Sequence, residues 1–177
     1  MWKKTLCLTA LLPLLSGCSL SLIGKASDRP AAIARIQVVS DSPGNRLTTA
    51  VKRELQSRHV EVTDAAPLTL HLSKTSYTHP LPTQFNAGVA FTTTATLTTH
   101  YELTTHADKT ILGDTSLSES QSLFHNANQV NTTSRDNLFQ RELAHKLASS
   151  IYFKLAAENT VKKIKQATEA NHATQGH

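Results

Sequence analysis

The segment that most constrains the fold is a long alternation of apolar and polar residues over positions 89–103. Apolar side chains occupy the odd positions Val89, Phe91, Ala95, Leu97, Tyr101 and Leu103. Polar side chains occupy the even positions Thr92, Thr94, Thr96, Thr98, His100 and Glu102. A period of two predicts a strand with one buried and one wet face, and β-branched threonine suits such a strand. The chain must therefore form a sheet that buries only one of its faces over this strand.

Further strands flank this one on both sides. Leu68, Leu70 and Leu72 alternate with polar residues before it, and residues 110–124, rich in serine and threonine, follow it. Residues 106–109 fit a hairpin turn between the last two strands, so these three strands form an antiparallel meander. An earlier strand of about six residues contains Ile36 and ends at a cluster of turn residues.

Two amphipathic helices complete the predicted fold. Leu47, Ala50, Val51 and Leu55 share one face of a helix for which Asn45 is a suitable N-cap. Phe139, Leu143, Leu147, Ile151 and Leu155 recur every four residues in a second helix, which Thr133 and Asp136 open as a capping box. The element order predicts an α+β fold with two helices packed on one face of a four-stranded, mostly antiparallel mixed sheet. The first strand should pair in parallel with its neighbour across the helix crossover.

The first 17 residues predict an export signal rather than part of the fold. Two lysines precede an apolar stretch that is too short to span a bilayer, and Leu15, Ser16 and Gly17 then precede Cys18. This segment resembles the lipobox of bacterial lipoproteins, which implies that Cys18 carries the lipid anchor. We expect a lipidated tether over residues 18–32, a single domain over residues 33–165 and a disordered polar tail over residues 166–177.

Composition argues against several functions. The net charge of +5 includes two lysines of the signal, and the remaining basic residues are scattered, so nucleic-acid binding is not expected. No two of the nine histidines have the i, i+4 spacing of a helical zinc site. The chain lacks nucleophile motifs and glycine-rich phosphate loops. We therefore predict no catalytic residue, no metal site, and no cofactor besides the lipid on Cys18.

The order of these features resembles the LptE family of lipopolysaccharide-assembly lipoproteins. The resemblance spans the mature chain to about Leu155, and it depends on the strand around Ile36, the helix over residues 47–55 and the closing helix over residues 142–155. One departure is that Ser19, Leu20, Ser21 and Leu22 follow Cys18, where family members often continue with glycine, an aromatic residue and leucine. An aspartate directly after the lipidated cysteine would resemble a signal for retention in the inner membrane. Because Ser19 occupies this position instead, the outer membrane is the expected location.

The resemblance implies two partners. One is the outer-membrane β-barrel LptD, inside which family members act as plug and folding scaffold, and the other is lipopolysaccharide. The strand face predicted to meet the barrel consists of Thr92, Thr94, Thr96, Thr98 and His100. The basic residues nearest to loop positions, where family members are thought to contact lipopolysaccharide, are Arg135, Lys109 and Lys74.

Two other classes of protein fit the same sequence features. One is an auxiliary lipoprotein of a lipid-trafficking ABC transport system, which binds a periplasmic partner instead of a barrel. The other is a periplasmic enzyme with an unrecognised site, which predicts a pocket with titratable groups of shifted pKa. The first of these two classes has a similar α+β domain.

Overall fold

A computed structural model describes residues 30–80, 91–125 and 133–174 of the 177-residue chain. A 3₁₀ turn (Ala31–Ile33) precedes the first strand. The strands are β1 (Arg35–Ser40), β2 (Glu61–Val62), β3 (Leu68–Thr78), β4 (Phe91–Thr105) and β5 (Thr110–His125). The helices are α1 (Arg46–Ser57), α2 (Thr133–Ala156) and α3 (Glu158–Thr174). The predicted α+β class is confirmed, with one strand and one helix more than expected.

The strands form one mixed sheet in the order β2-β1-β3-β4-β5. β1 pairs in parallel with β3 across α1, and β3, β4 and β5 pair antiparallel, as the sequence predicts. The additional strand is β2, which pairs in parallel with the other edge of β1. It has two residues, too few to produce a detectable alternation.

The hydrophobic core lies between one face of the sheet and the helices. Leu70 faces Leu103 and Leu72 faces Tyr101 across the β3–β4 pair, and all four side chains are buried. Leu147 of α2 is also fully buried against this face. We call this side of the sheet the inner face. The opposite side, which carries the even positions of β4, is the outer face.

The helix boundaries follow local chemistry. The Asn45 side-chain oxygen accepts a hydrogen bond from the Thr48 backbone N–H at 2.7 Å, which confirms the predicted N-cap of α1. Chain direction changes between α2 and α3 at Ala157, where the Thr160 hydroxyl donates to the Lys154 carbonyl at 2.9 Å. That bond satisfies one of the carbonyls left open at the end of α2.

The prediction of a disordered tail is wrong over residues 166–174, which belong to α3. Residues 166–174, expected to be disordered, continue this helix, and Ala167 is buried together with Ile164. Burial of these two side chains against the core explains why a polar segment is helical, since an apolar stripe stabilises a helix by tertiary packing. Residues 175–177, like residues 1–29, lie outside the described residues.

Candidate functional site

The outer face of the sheet carries rows of hydroxyl side chains on three strands. Thr94 lies opposite Ser122, Thr96 opposite Ser120 and Thr98 opposite Ser118 across the β4–β5 pair. The second and third rows extend onto β3 through Thr78 and Ser76. The hydroxyl face is defined as Ser76, Thr78, Thr92, Thr94, Thr96, Thr98, Ser118, Ser120 and Ser122.

Each residue of the hydroxyl face is exposed or half-buried. The Thr96 and Ser120 hydroxyls lie 2.9 Å apart, within hydrogen-bonding distance across the strands. Because serine and threonine side chains are short, few atoms project far from this face. Each hydroxyl group can donate as well as accept hydrogen bonds. The face is therefore suited to close contact with another polar surface. All four threonines predicted to face a barrel lie on it.

His100, the fifth residue predicted for that face, takes part in a charged cluster. Its Nδ1 lies 2.9 Å from Asp114 Oδ1, and Lys74 Nζ lies 3.4 Å from Asp114 Oδ2. The hydrogen bond from His100 contributes most to lowering the pKa of the Asp114 carboxyl, with smaller effects from Lys74. Lys74 reaches this position from a β-bulge, where its φ of 50° lies in the left-handed region.

The three basic residues predicted to contact lipopolysaccharide are not brought together. Lys109 lies in the β4–β5 hairpin turn, whereas Arg135 lies beside Phe124, whose carbonyl it contacts at 3.4 Å at the other end of these strands. β4 has 15 residues, so the two ends are separated by roughly 45 to 50 Å. Lys74 lies between them. These positions do not form a common pocket for one ligand head group.

A polar cluster that the sequence did not predict joins the end of β3 to the start of α2. The Tyr77 hydroxyl donates to Asp136 Oδ1 at 2.6 Å, and His79 Nδ1 lies 3.0 Å from the same oxygen. His79 Nε2 in turn lies 2.8 Å from the Thr93 hydroxyl, and the His79 side chain is 5% exposed. Gln140 donates to the second Asp136 oxygen at 3.3 Å. We call these five residues the Asp136 cluster.

The pKa values within the cluster follow its hydrogen bonds. Partial burial raises the pKa of Asp136, but hydrogen bonds from Tyr77 and His79 outweigh it and hold that pKa below the ordinary 3.8. Burial, followed by the hydrogen bond to Asp136, raises the pKa of Tyr77 well above its ordinary 10.0. Asp136 is therefore a carboxylate and Tyr77 a neutral donor over the physiological range. The cluster fixes the position of α2 on the sheet.

A groove of about 420 Å³ runs along the surface between α1 and α2. Its lining includes Arg46 and Arg53 from α1 and Arg141 from α2, all of which are exposed. Ala50 and Ala144 are buried in it, and their short side chains leave space between the helices. The sequence does not mark these three arginines as a group, because two of them lie on α1 and the third lies on α2. Arg46 and Arg53 are seven residues apart on α1, and only the packing of α2 brings Arg141 into the same groove.

The described part of the chain has neither a cluster of metal-ligating side chains nor a helix that could span a bilayer. Over residues 30–80, 91–125 and 133–174, no group of three or more His, Cys, Asp or Glu side chains could hold a metal ion. Among the helices that the structure describes, none combines the length and apolar character needed to span a bilayer. Cys18 lies outside the described residues, and its lipidation stays a prediction.

Solved structures of bacterial lipoproteins share this fold. A minor lipoprotein from Acinetobacter baumannii has a TM-score of 0.57 and 17% identity, covering 70% of this chain and 91% of its own. The rare lipoprotein B from Shewanella oneidensis has a TM-score of 0.51 and 15% identity, covering 81% and 99%. Lipoprotein B from Nitrosomonas europaea has a TM-score of 0.58 and 9% identity, covering 79% and 92%. At these identities the likeness concerns the fold alone.

Sequence comparison gives the family. A search of curated protein sequences found no significant match. In contrast, the sequence model of a family described as "LptE: Lipopolysaccharide-assembly" matches residues 33–155, which span β1 through nearly all of α2. That range is more than half of the chain and contains most of the hydrophobic core, the hydroxyl face and both walls of the groove. The chain therefore belongs to the LptE family of lipopolysaccharide-assembly proteins.

Proposed function

We propose that this protein is an outer-membrane lipoprotein, anchored through Cys18, that acts as plug and folding scaffold of an LptD-type β-barrel. In this role it helps the barrel to fold and helps lipopolysaccharide to reach the outer leaflet. It performs no catalysis. Family membership supports the lipopolysaccharide-assembly role. The hydroxyl face is the single structural observation that best supports a position inside a barrel.

The chemistry of the hydroxyl face suits the interior of a barrel. The lumen of an outer-membrane barrel is polar, so a plug gains nothing from an apolar contact surface. Rows such as Thr78, Thr96 and Ser120 present hydroxyl groups that can bond to lumen side chains or to bridging water. The helices support the sheet on its inner face. For example, the Ser150 hydroxyl of α2 donates a hydrogen bond to Glu119 Oε1 of β5 at 2.6 Å. A pre-organised face of this kind loses little conformational freedom on binding.

The experiment is a pull-down of the tagged, lipidated protein from detergent-solubilised outer membrane, followed by identification of the recovered proteins. We expect a stoichiometric, large β-barrel protein whose migration on gels changes on heating. Matched samples carry Cys18→Ser, which removes the predicted anchor, and should yield little protein in the membrane fraction. Recovery of inner-membrane transport components, or of no barrel, would contradict the proposal and favour the auxiliary-lipoprotein alternative.

A further inference from the structure

The groove between α1 and α2 carries a concentration of positive charge that the structure does not neutralise. Arg46, Arg53 and Arg141 line it, and no carboxylate does so within the described residues. Residues 126–132, which precede α2 in the sequence and lie outside the described residues, contain no acidic residue either. Three arginines along one groove, rather than spread over the surface, produce a local potential that attracts anions.

The carboxylates of the two helices are engaged elsewhere. Glu54 of α1 pairs with Arg58 at 3.2 Å. On α2, Asp136 belongs to the Asp136 cluster, and Glu142 pairs with Lys146 at 3.2 Å. Hydrogen bonds from Lys146 and Gln121 accordingly lower the pKa of Glu142. These are the only acidic residues in either helix, so none is left to pair with the groove arginines.

Arg46 is fixed in position while most of its donors stay available. Its guanidinium donates to the Asn137 carbonyl at 2.7 Å and to the Asn137 side-chain oxygen at 2.8 Å, which joins the N-terminal ends of the two helices. A guanidinium has five N–H donors, so three of those of Arg46 have no partner among the residues that the structure describes. Both helix N-termini lie at this end of the groove and add a smaller attraction for anions.

The guanidinium groups of Arg53 and Arg141 are not engaged by other described side chains. Over residues 30–80, 91–125 and 133–174, neither side chain has a hydrogen-bond or ion-pair partner, although both line the groove. Arg46 and Arg53 are seven residues apart on one face of α1, which places them about 10 Å apart along the helix axis. The spacing suits a ligand that carries more than one anionic group.

We infer that this groove is a binding site for a ligand with two or more phosphate groups. All three cations are arginine, whose planar fork matches the oxygens of a phosphate in a bidentate arrangement that lysine cannot reproduce. The ligand is either a phosphorylated glycolipid head group or a free phosphate compound, and both present the same chemistry. The glycolipid assignment rests on the proposed function, whereas the site itself does not.

The test uses the full mature protein and isothermal titration calorimetry with two probes. The first probe is inorganic pyrophosphate, and the second is lipid A in detergent micelles, compared with the same micelles containing dephosphorylated lipid A. The key variant is the double substitution Arg53→Gln with Arg141→Gln. The control is Lys52→Gln with Lys154→Gln, which changes the charge equally on the same two helices at exposed positions outside the groove lining.

We expect the arginine variant to bind both phosphate probes at least about tenfold more weakly, because charge-assisted hydrogen bonds are lost. The lysine variant should stay within about threefold of the wild type, because its charges act only through screened solvent. Much tighter binding of lipid A than of pyrophosphate identifies a lipid head group, and similar binding identifies a free phosphate compound. Both results support the site.

Two results would overturn the inference. One is the absence of saturable binding by the wild type to either probe, and the other is a loss of affinity in the lysine variant equal to that in the arginine variant.

Leu138→Glu serves as a second variant, since this exposed side chain also lines the groove. The new carboxylate should compete with the phosphate probes for the arginines. None of these titrations requires a barrel. A negative result in these titrations would therefore exclude the phosphate site without bearing on the proposed function, which the pull-down tests separately.

Discussion

Asn45 closes the N-terminus of α1 with a single side-chain oxygen. That oxygen accepts from the Thr48 backbone N–H at 2.7 Å and from the Thr48 hydroxyl at 2.9 Å. Asn45→Ala removes both bonds, and we expect the free energy of unfolding to fall by about 1 kcal/mol. Urea denaturation measures the change. Asn45→Ser keeps a capping oxygen and should retain most of the stability, so equal losses in the two variants would contradict the capping role.

Asp136 contributes stability that depends on pH. Its pKa in the folded protein lies below the ordinary 3.8, because Tyr77 and His79 donate to the carboxylate. A lowered folded pKa means that the contribution is present above the unfolded pKa and is lost as the pH falls through the folded value. Asp136→Asn should lower the free energy of unfolding at pH 7 by about 1 to 3 kcal/mol. Below about pH 3 the difference from the wild type should shrink.

Urea midpoints at pH 7 and pH 3 check this expectation. Asp64→Asn is the matched control, because it makes the same chemical change at an exposed position outside the cluster. It should have little effect at either pH. A loss for Asp136→Asn that is equally large at both values would show that the carboxylate charge has no part in the contribution.

These two residues also show which residue roles can be predicted from sequence. The cap formed by Asn45 depends on Thr48, three positions away, so the local pattern contains both partners. Asp136 was interpreted as part of a capping box, whereas its carboxylate binds Tyr77 and His79, more than 50 residues away. No local pattern contains a contact of that separation. It appears only when the sheet has placed β3 beside α2.

At the scale of elements, α2 supplies a large part of the core. Leu147 is fully buried, whereas Leu138 on the same helix is 48% exposed. Leu147→Ala should lower the free energy of unfolding by about 2 to 5 kcal/mol, because it removes buried methyl groups and leaves a cavity. Leu138→Ala, the same substitution at the exposed position, should cost well under 1 kcal/mol. Similar losses for both variants would contradict the packing of α2 described above.

The third helix belongs to the folded domain. Ile164 is 2% exposed and lies with Lys165 and Thr168 near the 3₁₀ turn and Leu68. Ile164→Ala should therefore cost about 2 kcal/mol or more, and amide hydrogens of α3 should be protected from exchange. Gln166→Ala on its exposed side should have little effect. Fast exchange throughout α3 would restore the expectation of a disordered tail.

The elements that the sequence predicted correctly have strong periodicity over many residues. β4 alternates over most of its 15 residues, and α1 has a complete apolar stripe and a cap. β2 and α3 were missed for different physical reasons. β2 exists only because β1 has an open edge for its two residues to pair with. The sequence of α3 is mostly polar, and its buried side chains, including Ile164 and Ala167, gain stability only from contact with the rest of the fold.

The whole molecule has two polar surfaces on opposite sides of one core. The hydroxyl face lies on the outer side of the sheet, and the arginine groove lies between the helices that cover the inner side. The alternation of β4 predicted the first of these surfaces in its main features. The second depends on how α1 and α2 pack together, which neither helix encodes alone. The arrangement allows a barrel contact on one side and a phosphate ligand on the other.

The most direct measurement of the central claim is photo-crosslinking in living cells from single positions on the two sides. A crosslinking amino acid at Thr96 or Thr98 samples the hydroxyl face, and the same amino acid at exposed Lys52 samples the helical side. We predict that the two threonine positions yield a crosslink to a large outer-membrane β-barrel protein. Efficient crosslinks to an inner-membrane component, or no barrel crosslink from either threonine position, would contradict the account.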